Sequence, residues 1–365
     1  MIGDRRAFLP LLAAYIAAVQ SAYVMPVLLG AASDSLGLRA DAAGLLTTLE
    51  LLGYAVGGLV LAPRLDRLPR ARIAHFAGAA LALAHLASAA VDEFTVLAVM
   101  RSCAGLAAGS LMAITNAEIA RSGDAERKYA RCIAAAIAFG CIGLAVIPLL
   151  ARSYGHLGAY GYAGVVVLGL LPLTWRWPAP VAIDRGGAMN FAALLPLCGF
   201  TLLLCFSDGV VYPFAERMGV GLGLEPVLNL LLAGALATGC LGAMAASRIG
   251  TRWGHIRPLV VAGWLTALAG LTIPYAMGPV SFLLATGTKN LTLFFLFPYL
   301  LGAAAVRDPS GRGVAAVTGC IPLGISIGPW VGGILVEATG YRVLGWVGIA
   351  AIALATPMVL SVRRT

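Results

Sequence analysis

Residues 62–72 read Ala-Pro-Arg-Leu-Asp-Arg-Leu-Pro-Arg-Ala-Arg, and residues 247–257 read Ser-Arg-Ile-Gly-Thr-Arg-Trp-Gly-His-Ile-Arg. Arg67 and Arg72 of the first stretch stand 185 positions before Arg252 and Arg257 of the second, and each stretch follows a long apolar run. Other pairs keep nearly the same distance. Pro26 and Pro213 are 187 apart, and Phe94 precedes Arg101 by seven residues just as Phe282 precedes Lys289, at an offset of 188. An offset of about 185 in a chain of 365 residues makes two similar halves.

The composition says what medium surrounds those halves. Sixty per cent of the residues are apolar and 11% are charged, and the mean hydropathy is +0.92. A soluble domain carries about 25% charged residues, so water cannot be the solvent for this surface. Apolar runs long enough to cross a bilayer, which takes roughly 20 residues, fall at about 8–29, 42–62, 73–91, 94–119, 132–151 and 158–174. A second set falls at about 190–212, 220–246, 257–276, 280–305, 313–336 and 342–361. The first run is too long for the apolar core of a signal peptide and is read as the first span.

Two breaks are thin, at Asp92-Glu93 and at Gly278-Pro279, so hydropathy alone allows eleven or twelve spans. The basic residues decide. With twelve spans and the amino terminus inside, nineteen of the 25 Lys and Arg residues fall in cytoplasmic segments and four, Arg39, Arg152, Arg217 and Arg342, fall outside. Arg101 and Lys289 fall within spans. Lys and Arg resist translocation, and dropping one span would invert every later loop. The expected fold is therefore all-α and polytopic, with 12 transmembrane helices in two pseudo-symmetric six-helix bundles. Residues 1–175 make the first bundle, 176–189 a short cytoplasmic linker and 190–365 the second. An even number of spans per half gives both halves the same orientation, a parallel repeat of the kind transporters use.

The net charge of +9 suits basic loops facing an anionic inner leaflet, and no aromatic-interleaved basic patch points to nucleic acid. Trp175, Arg176 and Trp177 stand where span 6 meets the headgroups. The seven cysteines lie singly within apolar runs, without ligand spacing to histidine, so no metal or cofactor site is expected.

The ordered set of motifs resembles the major facilitator superfamily. That family's loop after span 2 runs Gly, three residues, Asp, Arg, one residue, Gly, then basic residues; here Ala62, Asp66, Arg67, Pro69 and Arg72 stand in those places, with both glycines replaced. After span 8 the copy is Ser247, Thr251, Arg252, Gly254 and Arg257, with the acid lost. Span 4 holds Arg101, Gly105 and Gly109, similar to the family's Arg-and-Gly motif there. Span 11 holds Gly324, Gly328, Pro329, Gly332 and Gly333, a glycine-proline pattern that in the family usually marks span 5, where only Gly140 and Pro148 remain. Glycines four apart let helices approach closely in lipid, and Pro148 and Pro329 loosen their helices for rocking motions.

Charges inside a membrane are costly and mark function by default. Four stand clear of the span ends: Glu50, Arg101, Asp208 and Lys289. The resemblance implies that spans 1, 4, 7 and 10 line a central cavity, which Arg101, Asp208 and Lys289 would face together with Tyr15, Gln20 and Tyr23. In one reading Arg101 and Lys289 receive an anionic group of the substrate. Asp208 or Glu50 then takes up a proton when water leaves the cavity and the carboxylate loses its solvation. In the other, Arg101 pairs with Glu50 or Asp208 and Lys289 with the remaining acid, as permanent struts. Both remain open at this stage.

Glu118, at the inner end of span 4, is expected to meet Arg67 or Arg72 as a gating latch, with Asp66, Arg252 and Arg257 in the same gating set. His75 and His85 lie in span 3, which the family places at the periphery. Phe294, Phe295, Phe297 and Tyr299 of span 10 spread over too many angles to form one face and are read as packing.

The function expected is secondary, proton-coupled transport of a small organic solute by alternating access, an anion favoured. The partners are solute, protons and lipid, with a monomer as default, in the cytoplasmic (inner) membrane with both termini inside. The alternative is a proton antiporter exporting lipophilic drugs or metabolites. A membrane enzyme or receptor on the same scaffold is more remote, because no nucleophile, metal or phosphate-loop motif occurs at usable spacing.

Overall fold

A computed structural model describes residues 2–61, 64–65, 68–120, 122, 125–178, 191–308 and 312–361. Among them are helices and short 3₁₀ turns, and no strand. The first five helices are α1 (Ile2–Leu36), α2 (Ala40–Leu61), α3 (Arg70–Ala89), α4 (Phe94–Ala120) and α5 (Ala125–Thr174). Then come α6 (Phe191–Val211), α7 (Ala215–Gly221), α8 (Leu228–Ile249), α9 (Ile256–Thr272), α10 (Pro279–Arg307), α11 (Arg312–Thr339) and α12 (Arg342–Ser361). Contacts divide the chain into two compact units, residues 1–38 with 46–184, and residues 39–45 with 185–365. Most of the expected linker, from residue 179 on, lies outside the described residues.

Among the described residues twelve spans emerge once two irregular elements are resolved. α5 contains spans 5 and 6, separated at Gly155, whose φ of 57° and ψ of −143° stop the helix in a conformation that favours glycine. α6, the 3₁₀ turn Tyr212–Phe214 and α7 together make span 7. Span 8 accordingly begins at Leu228, later than the apolar run from about 220 implied, because α7 prolongs span 7 to Gly221.

Both thin breaks are real. Before α4, the Glu93 carboxylate accepts the backbone N–H groups of Thr95 at 2.9 Å and Val96 at 2.7 Å. Those two bonds hold its carboxyl below the usual value. Before α10, Pro279 takes the first helical position and Ser281 Oγ accepts the N–H of Gly278 at 3.1 Å.

Proline breaks one helix in each unit. α1 bends by 54° between its parts Phe8–Tyr23 and Met25–Leu36, where Pro26 removes a backbone donor. Pro213 does the same in the second unit, where α6 gives way to the 3₁₀ turn.

Close helix contacts fix the register of the repeat. A Cβ on Gly57 would meet the Leu106 carbonyl, and a Cβ on Gly242 would meet that of Leu291, both partners 185 residues on. Gly53 lies against Ser102 as Thr238 lies against Gly287, to whose carbonyl Thr238 Oγ1 donates at 2.7 Å. Gly109 sits on the Tyr54 backbone, whereas Gly239 sits on the Phe294 ring: large and small residues have changed places at an offset of 185. Gly143 meets Val24 on α1 as Gly328 meets Gly209 on α6. The offset is therefore 185 throughout. The two prolines, at 187, are two residues out of register, and the two bases, at 188, are three.

The expected glycine packing occurs. Gly105 and Gly109 press on the backbone of α2 at Glu50 and Tyr54, and Gly328 presses on α6 at Gly209 and Val210. Pro148 stands inside α5 and Pro329 inside α11, with the Pro329 carbonyl against Gly44, which groups with the second unit. Gly109→Val should destabilise the protein by about 1–3 kcal/mol through overpacking. Gly169→Ala, with nothing within 4 Å of its Cβ, should be neutral or stabilising by about 0.4–1 kcal/mol. Denaturant unfolding in detergent would check both, and equal stability of Gly109→Val and the wild type would rule out the close approach.

Candidate functional site

Among the described residues each unit buries one Lys or Arg side chain, and each of the two has found an acid. In the first unit Arg101 stands seven residues into α4, about 10 Å along the helix. The Gly53/Gly57 face of α2 lies against the Gly105/Gly109 face of α4, which brings Glu50 beside the guanidinium. Arg101 Nη2 forms an ion pair with Glu50 Oε1. Its Nη1 donates to His85 Nδ1 at 3.1 Å and to Ser88 Oγ at 3.4 Å, both from α3. The Tyr160 ring of α5 lies 4.6 Å from the guanidinium carbon. Because Nδ1 of His85 accepts from a permanent cation, its ring proton sits on Nε2, 3.5 Å from Ser21 Oγ. Arg101 is 1% exposed and is enclosed on every side.

In the second unit Lys289 Nζ pairs with Asp208 Oδ1 of α6. The Tyr212 ring, carried on the 3₁₀ turn that Pro213 imposes, lies 5.5 Å from the ammonium. Lys289 also borders a cavity of about 10 Å³, shared with Tyr212, Ala235, Ile273, Thr286 and Asn290. That volume suffices for the centre of one water molecule.

The common register of 185 explains the cavity. Ala235 stands at the position of Glu50, Thr286 at that of Arg101 and Ile273 at that of Ser88. The second unit has small or apolar groups where the first has its ion pair, and the space left is the cavity. Lys289 corresponds to Ala104 and reaches this space from about one helical turn further along, and Asp208 corresponds to Tyr23.

The remaining residues fall in several places. Gln20 is buried and donates to the Ala163 carbonyl at 2.8 Å, which commits it to helix packing. Tyr15 packs on the Leu11–Ile119–Cys132 cluster, and Tyr23 is half-buried beside the bend in α1. Asp66 and Arg67 lie outside the described residues. Glu118 does not meet Arg72; it pairs with Arg70, Oε1 to Nε at 3.2 Å. Residues two apart on a helix point about 200° apart, so α3 turns Arg70 inward and leaves Arg72 exposed. Arg252 and Arg257 are exposed as well.

His85 lies on the inward face of span 3, fully buried against Arg101, while Phe76 and Leu83 of the same helix are exposed. An ionisable side chain inside a span was its available signal. Tyr160 and Tyr212 carried no such mark. Tyr299, whose hydroxyl donates to the Gly250 carbonyl at 2.9 Å, and Phe294 and Phe297, in edge-to-face contact, pack within the second unit as read.

A family model described as the Major Facilitator Superfamily matches residues 11–306. Among solved structures, the nucleoside transporter NupG superposes with a TM-score of 0.76 at 14% identity, covering 98% of this chain and 99% of that one. The human organic anion transporter MFSD10 (TETRAN) superposes with a TM-score of 0.70 at 16% identity, covering 98% and 99%. Comparison with curated protein sequences gives no match.

Removing one member of a buried ion pair leaves the other uncompensated, at about 3–5 kcal/mol. Glu50→Leu and Arg101→Met should each lose that much stability, and the two substitutions together should lose far less than the sum. A double-mutant cycle by thermal or denaturant unfolding checks this, and strict additivity would show the pair to be energetically idle.

Proposed function

Because the chain belongs to the Major Facilitator Superfamily, we propose that it is a proton-coupled transporter of a small organic anion in which Asp208 and Lys289 are the coupling pair. Membership of that family makes it a transporter and not an enzyme. The observation that carries the finer reading is the contrast between the two bases: the Arg101 guanidinium is closed in by three further side chains, and Lys289 borders a cavity.

The coupling follows from charge balance. With Asp208 ionised, Lys289 already has its counter-charge. A proton on Asp208 breaks that balance and leaves a buried ammonium in need of an anion. A carboxylate or similar group on the solute supplies it, assisted by Asn290 and Tyr212 around the same cavity. Proton and anion therefore favour each other's binding, and by linkage the effect is reciprocal. The cavity has room for one water, so the solute meets Lys289 in a more open state of the transport cycle. Arg101 and Glu50 act as a strut in this scheme, with His85, Ser88 and Tyr160 fixing the guanidinium. The charge bias of the loops supports a cytoplasmic side carrying both termini and the Arg72 and Arg257 loops.

One observation favours a second reading, an uncharged polar solute. Each base is neutralised by its acid, so both clusters carry no net charge, and Thr286, Asn290 and Tyr212 offer uncharged polar groups. The nucleoside and organic anion transporters named above bracket these two substrate classes, and at 14% and 16% identity they support the fold alone.

Proteoliposomes with a trapped pH dye, challenged with organic anions, nucleosides and lipophilic cations, test the proposal. Anions should carry protons inward, and their affinity should rise as pH falls by about 5–150-fold, the usual span of a coupling energy. Asp208→Asn should abolish proton movement and the pH dependence while sparing anion exchange. Proton flux unchanged in Asp208→Asn would remove Asp208 from the mechanism. Proton movement driven by lipophilic cations would assign drug-type antiport instead.

A further inference from the structure

On the surface of the first unit, α3 and the last turns of α5 enclose a groove of about 450 Å³. Arg72 stands at one end with Trp175 beside it, and Phe76, Ala79 and Leu168 line its length. Phe76 is 75% exposed and Trp175 is 74% exposed, so the groove opens away from the bundle. His75 Nε2 meets the Thr174 carbonyl at 2.9 Å and ties α3 to the end of α5 at the groove's base. Among the described residues no carboxylate pairs with Arg72, in contrast to Arg70, whose partner is Glu118. A second exposed cation, Arg176, follows Trp175.

The two chemistries occur together in one kind of molecule. An apolar trough of this size, open on the lipid side, takes an acyl chain. An arginine that pairs with no carboxylate among the described residues, beside an indole at the end of a span, takes an anionic headgroup, the arrangement in which basic pockets between membrane helices hold acidic lipids. We propose that this groove binds one anionic phospholipid, its phosphate on Arg72 at the level of Trp175 and one chain along Phe76, Ala79 and Leu168. The lipid braces α3, and with it His85 and Ser88, against α5.

The second unit provides an internal control. At the common offset of 185, Arg257 stands for Arg72, and Trp264 stands for Ala79. Arg257 is equally exposed, while Trp264 is half-buried against the core of its unit and puts an indole where the first unit has a methyl group. The arginine is repeated, and the small residue that opens the trough is not. A charge attraction common to all basic loops would treat Arg72 and Arg257 alike; a built site would not.

Native mass spectrometry of the full chain in detergent, titrated with phosphatidylglycerol and with phosphatidylcholine, separates the cases. The wild type should retain one phosphatidylglycerol in preference to phosphatidylcholine. Arg72→Ala should weaken that binding by about fivefold, the effect of one basic side chain on an anionic lipid. Ala79→Trp should remove the bound lipid by filling the trough, and Arg257→Ala should leave it unchanged. Ala79→Trp faces the groove, and an unfolding midpoint equal to the wild type's would verify that it folds. Equal retention in wild type, Arg72→Ala and Ala79→Trp would overturn the site. Equal loss in Arg72→Ala and Arg257→Ala would reduce it to annular lipid attracted by charge.

Discussion

A charged side chain within a bilayer needs its counter-charge on a neighbouring helix, and that helix must come close enough to present it. Lipid supplies no hydrophobic drive for such an approach, so it depends on packing of small residues. Gly53 and Gly57 on α2 and Gly105 and Gly109 on α4 bring two backbones together, and Glu50 reaches Arg101 as a consequence. In the second unit Gly242 brings α8 onto the α10 backbone at Leu291 and Gly239 makes room for the Phe294 ring, but Ala235 offers no acid there. Lys289 turns instead to α6, which α11 holds through Gly324, Gly328 and Gly332 around Asp208.

One scaffold thus carries two chemistries. The helix contacts repeat at 185 residues even where residue sizes are exchanged, as between Tyr54 with Gly109 and Gly239 with Phe294. The polar groups do not repeat. Where the first unit has Glu50, Ser88 and Arg101, the second has Ala235, Ile273 and Thr286 around a cavity. The Arg101 guanidinium is held by His85, Ser88 and Tyr160 as well as by its acid, whereas Lys289 has a cavity beside it. Packing between helices constrains both halves alike, and the freedom to differ lies in the side chains that packing does not need.

The same division shows at the start of α3. Arg70 and Arg72 belong to one turn of one helix, yet one closes on Glu118 and the other faces outward beside Trp175. The motif names Arg72, whereas the arginine that meets Glu118 among the described residues is Arg70.

The amino-acid sequence by itself determined the twelve spans, the two halves, the family and the four intramembrane charges. Each of these rests on run length, charge bias or recurrence, which survive without knowing how any helix is rotated. It also limited the pairings to two, since two acids and two bases must balance in lipid. Only the tertiary structure decided that Arg101 takes Glu50 and Lys289 takes Asp208, that His85 lies inside, and that the bases are three residues out of register. Those outcomes depend on the angle at which each helix meets its neighbour. A rotation of 100° per residue means that a shift of one position redirects a side chain from the core to the lipid, and hydropathy does not record that angle.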